Sequence, residues 1–445
     1  MSDFFNEFNK VSKSEWEQKI ITDLKGKEPS IIAINNEIEE LNLSSYYHAE
    51  DVQTQEIPGN FPYTRGMNKA SNAWQNGSFV IISNEKEANK KALAALNSGA
   101  DLLVFKTTLD STDWKQVFEG IEFQYIHVQF VIESKSDFEA IYKLMDANSN
   151  QVQYNLDIVN NISADDFNSI AENFKNKQQQ FCSVNGFKLQ NVGANTSQEI
   201  AFCLNVGHYY LVRLMSLGFS IDEAAACISF KIGVGSNFFF ETSKFRALKQ
   251  LWSKVIAAYS PEHGCSHNSN ITAVVGHLNK SLKDPYTNLL RQTTEAMSAI
   301  NGGAEAVVIK PYDIYSTNGS TELAERMALN ISSILKEESY LNAVIDPLGG
   351  SYSVESCTEA IARKSWSIFQ KLESSEDGIQ SDWFIESIKE KASLRINNIQ
   401  EGSSMLIGIN KFENPDTVDN SWVYKQDYLG LPGILLENAL TSELA

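Results

Sequence analysis

The sequence predicts an α/β protein built around a (β/α)8 TIM barrel, with an N-terminal arm and a short C-terminal helical extension. Three observations predict it. Short apolar, β-branched runs recur eight times between residues 78 and 309. Stretches with helical spacing of apolar residues fill the gaps. The repeats span about 240 residues, close to the roughly 250 of an eight-fold barrel. Alternating strands and helices imply right-handed crossovers and a parallel sheet. A doubly wound open sheet shares that alternation, and periodicity alone leaves both open.

Residues 1 to about 40 read as helical and charged, with Trp16, Ile20, Ile21 and Leu24 at helical spacing. The stretch through Pro58-Gly59-Asn60-Phe61-Pro62 is turn-rich and reads as an extended arm. The strand runs are Ser78–Ser83, Asp101–Lys106, Ile126–Ile132 and Gln151–Ile158, then Gln180–Phe187, Ile228–Val234, Ile271–Leu278 and Ala304–Ile309. Ser220-Ile-Asp-Glu223 is a capping box opening a helix. The helix near 243–258 sets Phe245, Leu248, Leu251, Trp252 and Val255 on one face. A second helix, near 321–336, does the same with Leu323, Met327, Ile331 and Ile334. Beyond Lys371 a helical stretch runs from Trp383 to about Gly402, followed by a mixed segment. The expected division is 1–75 for helix and arm, 76–370 for the barrel and 371–445 for the extension.

Among the 445 residues, Lys+Arg is 37 and Asp+Glu is 56, a net charge of −19. That balance argues against nucleic acid, which needs clustered cations. No apolar stretch reaches the roughly 18 residues of a membrane helix. The start, Met1–Asn6, has no basic or apolar signal region, and the five cysteines never fall in a C-x-x-C spacing. Reduced thiols and a cytoplasmic location are expected. The only dense set of metal-ligand types, His263-Gly-Cys265-Ser-His267, sits in a Ser/Asn/Gly-rich loop without an obvious fourth ligand, so no metal is expected. G-x-G-x-x-G, P-loop, G-x-S-x-G and H-E-x-x-H motifs do not occur.

Longer strings stand out. Phe61-Pro-Tyr-Thr-Arg-Gly66 is followed by Ile228–Phe238 (ISFKIGVGSNF) and Lys244–Trp252 (KFRALKQLW). Next come Asp284-Pro-Tyr-Thr-Asn288, Glu295–Gly303 (EAMSAINGG) and Glu337-Glu338-Ser339, then Asp346-Pro-Leu-Gly-Gly-Ser-Tyr352 with Glu355. In this order and spacing they resemble the substrate-binding barrel of the methylmalonyl-CoA mutase family, over about residues 50–410. The resemblance implies a barrel rather than an open sheet. It also implies a substrate threaded along the barrel axis, and a separate domain holding cobalamin through an Asp-x-His-x-x-Gly signature. Radical chemistry would come from that cofactor.

The same resemblance exposes departures. None of the six histidines has Asp two residues before it, so a cobalamin-binding domain is not expected in this chain. Asn72 stands where active members carry a tyrosine that helps drive the radical step. Phe187 and Lys188 replace a Tyr-His pair that reaches the thioester carbonyl. Thr272 and Val274 stand in a strand that carries polar substrate contacts in active members, and read as filler for a packed axis. No arginine lies between Arg65 and Arg213 to fork onto a substrate carboxylate.

The resemblance therefore implies a small (beta), non-catalytic subunit without catalytic residues. Its partner would be the large (alpha) subunit of a heterodimeric, adenosylcobalamin-dependent mutase that converts methylmalonyl-CoA to succinyl-CoA. Adenosylcobalamin would sit in that partner, and this chain would bind no cofactor. Tyr63, Thr64 and Arg65 are candidate CoA contacts. As a structural alternative, Arg65 pairs with a carboxylate, Tyr63 and Thr64 serve core and turn, and Lys188 is an ion-pair partner. Phe4, Phe5 and Phe8 are expected to wrap the partner. Two other readings remain: an acyl-CoA-binding barrel without chemistry, and a barrel active with a separate cobalamin-binding protein.

Overall fold

A computed structural model of the chain describes residues 9–51, 56–145, 151–159, 162–415 and 422–440. Phe4, Phe5 and Phe8 lie outside the described residues.

Helix α1 (Lys13–Asp23) opens with a capping box between Ser12 and Glu15 and buries none of its residues. It ends at Lys25 and Gly26, both at positive φ. Residues 24–40 are therefore not a continuation of that helix. Gly26 and Pro29 interrupt the pattern, and a short 3-10 turn leads into a hairpin of β1 (Ile34–Asn36) and β2 (Leu41–Leu43). The hairpin docks on the body. Glu39 accepts from the Thr196 amide at 2.9 Å, and Lys364 donates to the Glu39 carbonyl at 2.7 Å.

Eight parallel strands follow: β3 (Gln75–Ile82), β4 (Leu102–Thr107), β5 (His127–Ile132), β6 (Val152–Leu156), β7 (Cys182–Asn185), β8 (Ile228–Val234), β9 (Ile271–Val275) and β10 (Ala306–Ile309). They close in the order β10-β3-β4-β5-β6-β7-β8-β9, with Ala306 opposite Gln75 at the seam. Closure settles the choice between barrel and open sheet, and every expected strand is present.

The helices between strands are α2 (Glu85–Asn97), the single turn α3 (Trp114–Val117), α4 (Lys135–Met145), α5 (Ala164–Ala171) and α6 (Gly186–Asn191), then α7 (Thr196–Ser216), α8 (Ile221–Ala226), α9 (Phe238–Ala257) and α10 (Thr287–Asn301), and α11 (Glu322–Glu337) follows the last strand. Local chemistry explains several boundaries. Asn84 caps α2, whose Ala88, Ala92 and Ala95 form a small-residue face against the sheet. The expected Ser220–Glu223 capping box opens α8. Beyond the barrel, α12 (Tyr352–Glu373) and α13 (Asp382–Gln400) complete the outer layer.

The apolar core lies between sheet and helices. Val80, Leu103, Phe105, Val128, Phe130 and Ile132 face outward from their strands into it. Their alternate neighbours face the barrel interior, as the two-residue period of a strand requires. Helix α9 is buried over nearly its whole length, so its charged side chains need internal partners. Lys244 pairs with Glu199 at 2.8 Å and Glu241 at 2.6 Å. Arg246 pairs with Asp346, and with Glu355 at 2.6 Å.

Candidate functional site

The barrel interior is divided lengthwise. On one side, Leu102, Val104, Ala306 and Val308 form an apolar cluster with Phe79 and Val131 packed on it. Gly77 completes that wall, because a Cβ there would sit 2.6 Å from Val308 Cγ2. On the other side, β5 to β9 bring in Gln129, Asn155, Ser183, Ser229, Lys231 and Thr272, all buried.

A chain of hydrogen bonds crosses the axis. Lys231 donates to Gln129 Oε1 at 3.0 Å, and Gln129 Nε2 donates to Thr272 Oγ1 at 3.1 Å. Strands β5 and β9 lie diametrically opposite in the ring, so this crossing spans the interior. It divides two cavities. The lower, about 230 Å³, opens at the strand N-termini and is rich in glutamine, including Gln75, Gln151, Gln153 and Gln179. The upper, about 290 Å³, opens at the strand C-termini, where barrels of this type carry their sites.

Lysines dominate the upper cavity. Lys106 pairs with Glu133 at 3.0 Å, and Lys188 pairs with Asp157 at 2.8 Å. Two more, Lys231 and Lys310, have no carboxylate partner among the described residues. The Lys310 ammonium donates to the Tyr315 hydroxyl at 2.9 Å and lies 4.5 Å from the ring centres of Phe79 and Phe187. Burial, reinforced by Lys310 and Lys188, lowers Lys231 to about 7. Burial with Lys106 and Lys188 lowers Lys310 to about 7 as well. The Asn155 amide nitrogen is also buried at this mouth without an acceptor.

The C-terminal segment covers the opening. Tyr424, Lys425, Gln426 and Asp427 line the upper cavity, and Gln426 donates to the Lys188 carbonyl at 2.8 Å. Glu437, 3% exposed, anchors the segment by accepting from Ser281 Oγ at 2.6 Å and Trp422 Nε1 at 2.7 Å. His277 is packed behind the opening, 4.0 Å from the Tyr424 ring and 4.7 Å from the Tyr315 ring. Burial, with Lys310 and Lys280 nearby, holds its ring well below the ordinary histidine range.

Phe187, Lys188, Thr272 and Val274 meet at the upper cavity. Asn72 does not join them. It lies before β3 at the opposite end, its amide donating to the Ile300 carbonyl at 3.0 Å and the Leu341 carbonyl at 3.3 Å. Thr272 is not apolar filler either: its hydroxyl accepts the crossing hydrogen bond from Gln129.

Thr64 and Arg65 line a third cavity at Asn72's end, and the Tyr63 ring packs 5.4 Å from that of His267. The Arg65 guanidinium is engaged with Asp346 Oδ2 at 2.7 Å and the Glu56 carbonyl at 2.9 Å. Lys188 is likewise held in its ion pair. Cys265 is exposed, while His267 bonds the Ser253 carbonyl at 3.0 Å. The potential ligand atoms that do gather near this loop belong to Asp222, Glu262 and His263.

Sequence reasoning missed Lys231, Lys310, Asp157, Tyr315 and the covering segment. Two signals were available. Ser229 and Lys231 alternate with Ile228, Phe230 and Ile232 in ISFKIGV, which puts the lysine on the face away from the helices, the interior of a closed barrel. Lys310 follows directly on the apolar run of β10, at the strand end where barrel sites gather.

A closed ring of eight parallel strands surrounded by helices, with polar groups converging at its C-terminal mouth, is a (β/α)8 TIM barrel. A family model described as methylmalonyl-CoA mutase matches residues 140–428, and the chain belongs to the methylmalonyl-CoA mutase family. Relatives include the methylmalonyl-CoA mutase small subunit of Porphyromonas gingivalis, 29% identical over 446 residues, covering 92% of this chain and 71% of that one. The methylmalonyl-CoA mutase of Cereibacter sphaeroides is 27% identical over 457 residues, covering 89% and 64%. A probable methylmalonyl-CoA mutase small subunit of Mycobacterium tuberculosis is 32% identical over 242 residues, covering 52% and 38%. No helix among the described residues is long and apolar enough to cross a membrane.

Proposed function

We propose that this chain is the small subunit of a heterodimeric, adenosylcobalamin-dependent methylmalonyl-CoA mutase. It supports a large subunit that converts methylmalonyl-CoA to succinyl-CoA and performs no rearrangement itself. The observation that carries this reading is the crossing of the axis by Lys231, Gln129 and Thr272. A substrate threaded through this barrel would have to break that chain of buried hydrogen bonds. The names of the Porphyromonas and Mycobacterium relatives support the subunit role.

The described residues do not fit cobalamin above the strands. The space there is taken by Tyr315 and the Tyr424–Asp427 segment, and His277 is closed in among aromatic rings. The cofactor belongs, on this reading, to the large subunit, and the complex works in the cytoplasm.

The test is co-expression with a large subunit, followed by size exclusion and a mutase assay. A stable heterodimer with activity, and no turnover by this chain alone with adenosylcobalamin, is expected. Robust turnover by the isolated chain would overturn the reading.

A further inference from the structure

We propose that the upper mouth of the barrel binds a small free carboxylate, held by the Lys231 and Lys310 ammonium groups and the Asn155 amide, and selects the free acid over its coenzyme A thioester.

The donor chemistry comes first. An ammonium offers three N–H donors. Lys231 spends one on Gln129 and Lys310 one on Tyr315. Both side chains are more than nine-tenths buried, at 7% and 5% residue exposure, and both line the same cavity. Of the three carboxylates lining this mouth, Glu133 and Asp157 are paired with Lys106 and Lys188, and Asp427 accepts from the Gly430 amide at 3.1 Å. Asn155 adds a buried N–H donor without an acceptor. Buried donors in excess of acceptors are uncompensated until something brings in oxygen atoms. Burial has lowered both lysines to about 7, so an arriving anion would draw protons onto them.

Shape decides among anions. Across from Lys231 the wall is apolar, made by Phe79, Val104, Val131 and Val308, and Lys310 rises from that wall itself, two residues past Val308, with its ammonium 4.5 Å from the Phe79 ring centre. A carboxylate with a short aliphatic chain uses both walls, whereas inorganic phosphate uses only one. A thioester would need a path for its long pantetheine arm. Below, the Lys231–Gln129–Thr272 crossing closes the axis. Above, the anchored segment at Tyr424–Asp427 narrows the opening. The charged and titratable groups facing the two lysines are Lys106, Glu133, Asp157, Lys188, Tyr315, Tyr424, Lys425 and Asp427, with His277 behind them. This site would exist whether or not a large subunit pairs with the chain.

Isothermal titration of the full chain with propionate and succinate tests it, with phosphate and propionyl-CoA as separate arms. Saturable binding of at least one acid is expected at pH 6, weaker by about tenfold at pH 8 as the charged fraction of the lysines falls. Net proton uptake is expected at pH 7, read from the difference between buffers of unlike ionisation enthalpy. Lys231→Met and Lys310→Met should each weaken binding about tenfold or more, with thermal unfolding showing that each still folds. If a variant fails to fold, the proton uptake of the native chain decides. The proposal is overturned by no saturable heat at millimolar acid, by binding without proton uptake, or by phosphate binding as tightly as the acids. Propionyl-CoA binding more tightly than free propionate would overturn it equally.

Discussion

Asp346 serves two guanidinium groups at once. It takes Arg65 from the arm and Arg246 from α9, while Glu355 from α12 holds the other side of Arg246. Gly349 makes room for this, since a Cβ there would lie 2.4 Å from Arg65 Nη2. The glycine pair of the Asp346–Tyr352 string thus admits a side chain as well as turning the backbone. Asp346→Asn leaves Arg246, 1% exposed, with one of its two charge partners. A loss of about 3–5 kcal/mol is expected in urea unfolding. A loss below about 1 kcal/mol would show that Glu355 suffices.

Lys231 and Lys310 act on stability in the opposite sense. Burial lowers each from 10.5 to about 7. Between pH 7 and 10.5 the unfolded chain holds the protons that the folded chain has released, so stability rises with pH across that window. Below pH 7 the penalty is present in full. Lys310→Met should therefore be more stable than the native chain at pH 6, by an amount on the order of a few kcal/mol. The gap should narrow steadily between pH 7 and 10.5. Urea midpoints at pH 6 and 9 check this, and a gap independent of pH would refute it.

At the scale of elements, legibility tracked burial. Strands β3 to β10 were legible because each is an apolar run shielded by helices, and such runs carry their own signal. The polar side of the barrel was less legible. Gln129 and Thr272 sit on different strands, and nothing local says they meet across the axis. The same holds for Lys188, whose partner Asp157 comes from the end of β6. After α1 the helical spacing of apolar residues persists past Gly26, although the backbone turns there at positive φ. Thr272→Val keeps the shape of the crossing and removes its acceptor. It should reduce stability by about 1–3 kcal/mol through the unpaired Gln129 amide. An unchanged unfolding midpoint would mean the crossing does not hold the axis shut.

For the whole molecule, family strings and structure converge at the bottom of the barrel rather than at its mouth. The Tyr63–Gly66 string, the α9 string and the Asp346–Tyr352 string are tied together by the Arg65–Asp346–Arg246 cluster. Their order in the sequence thus carried the fold. It said less about chemistry, because the mouth is built from single residues at the ends of separate strands and from a cover supplied by residues 422–427.

That cluster also has a schedule. Arg65 and Asp346 are 281 positions apart in the chain. At a synthesis rate of about 5–20 residues per second, roughly 15–55 s separate their appearance at the ribosome. Strand β3 waits nearly as long for β10, which closes the ring. During that interval Arg65 lacks its carboxylate partner and the first strand has an open edge, so the arm is held only by contacts such as that of Glu39 with the Thr196 amide until the last strand arrives.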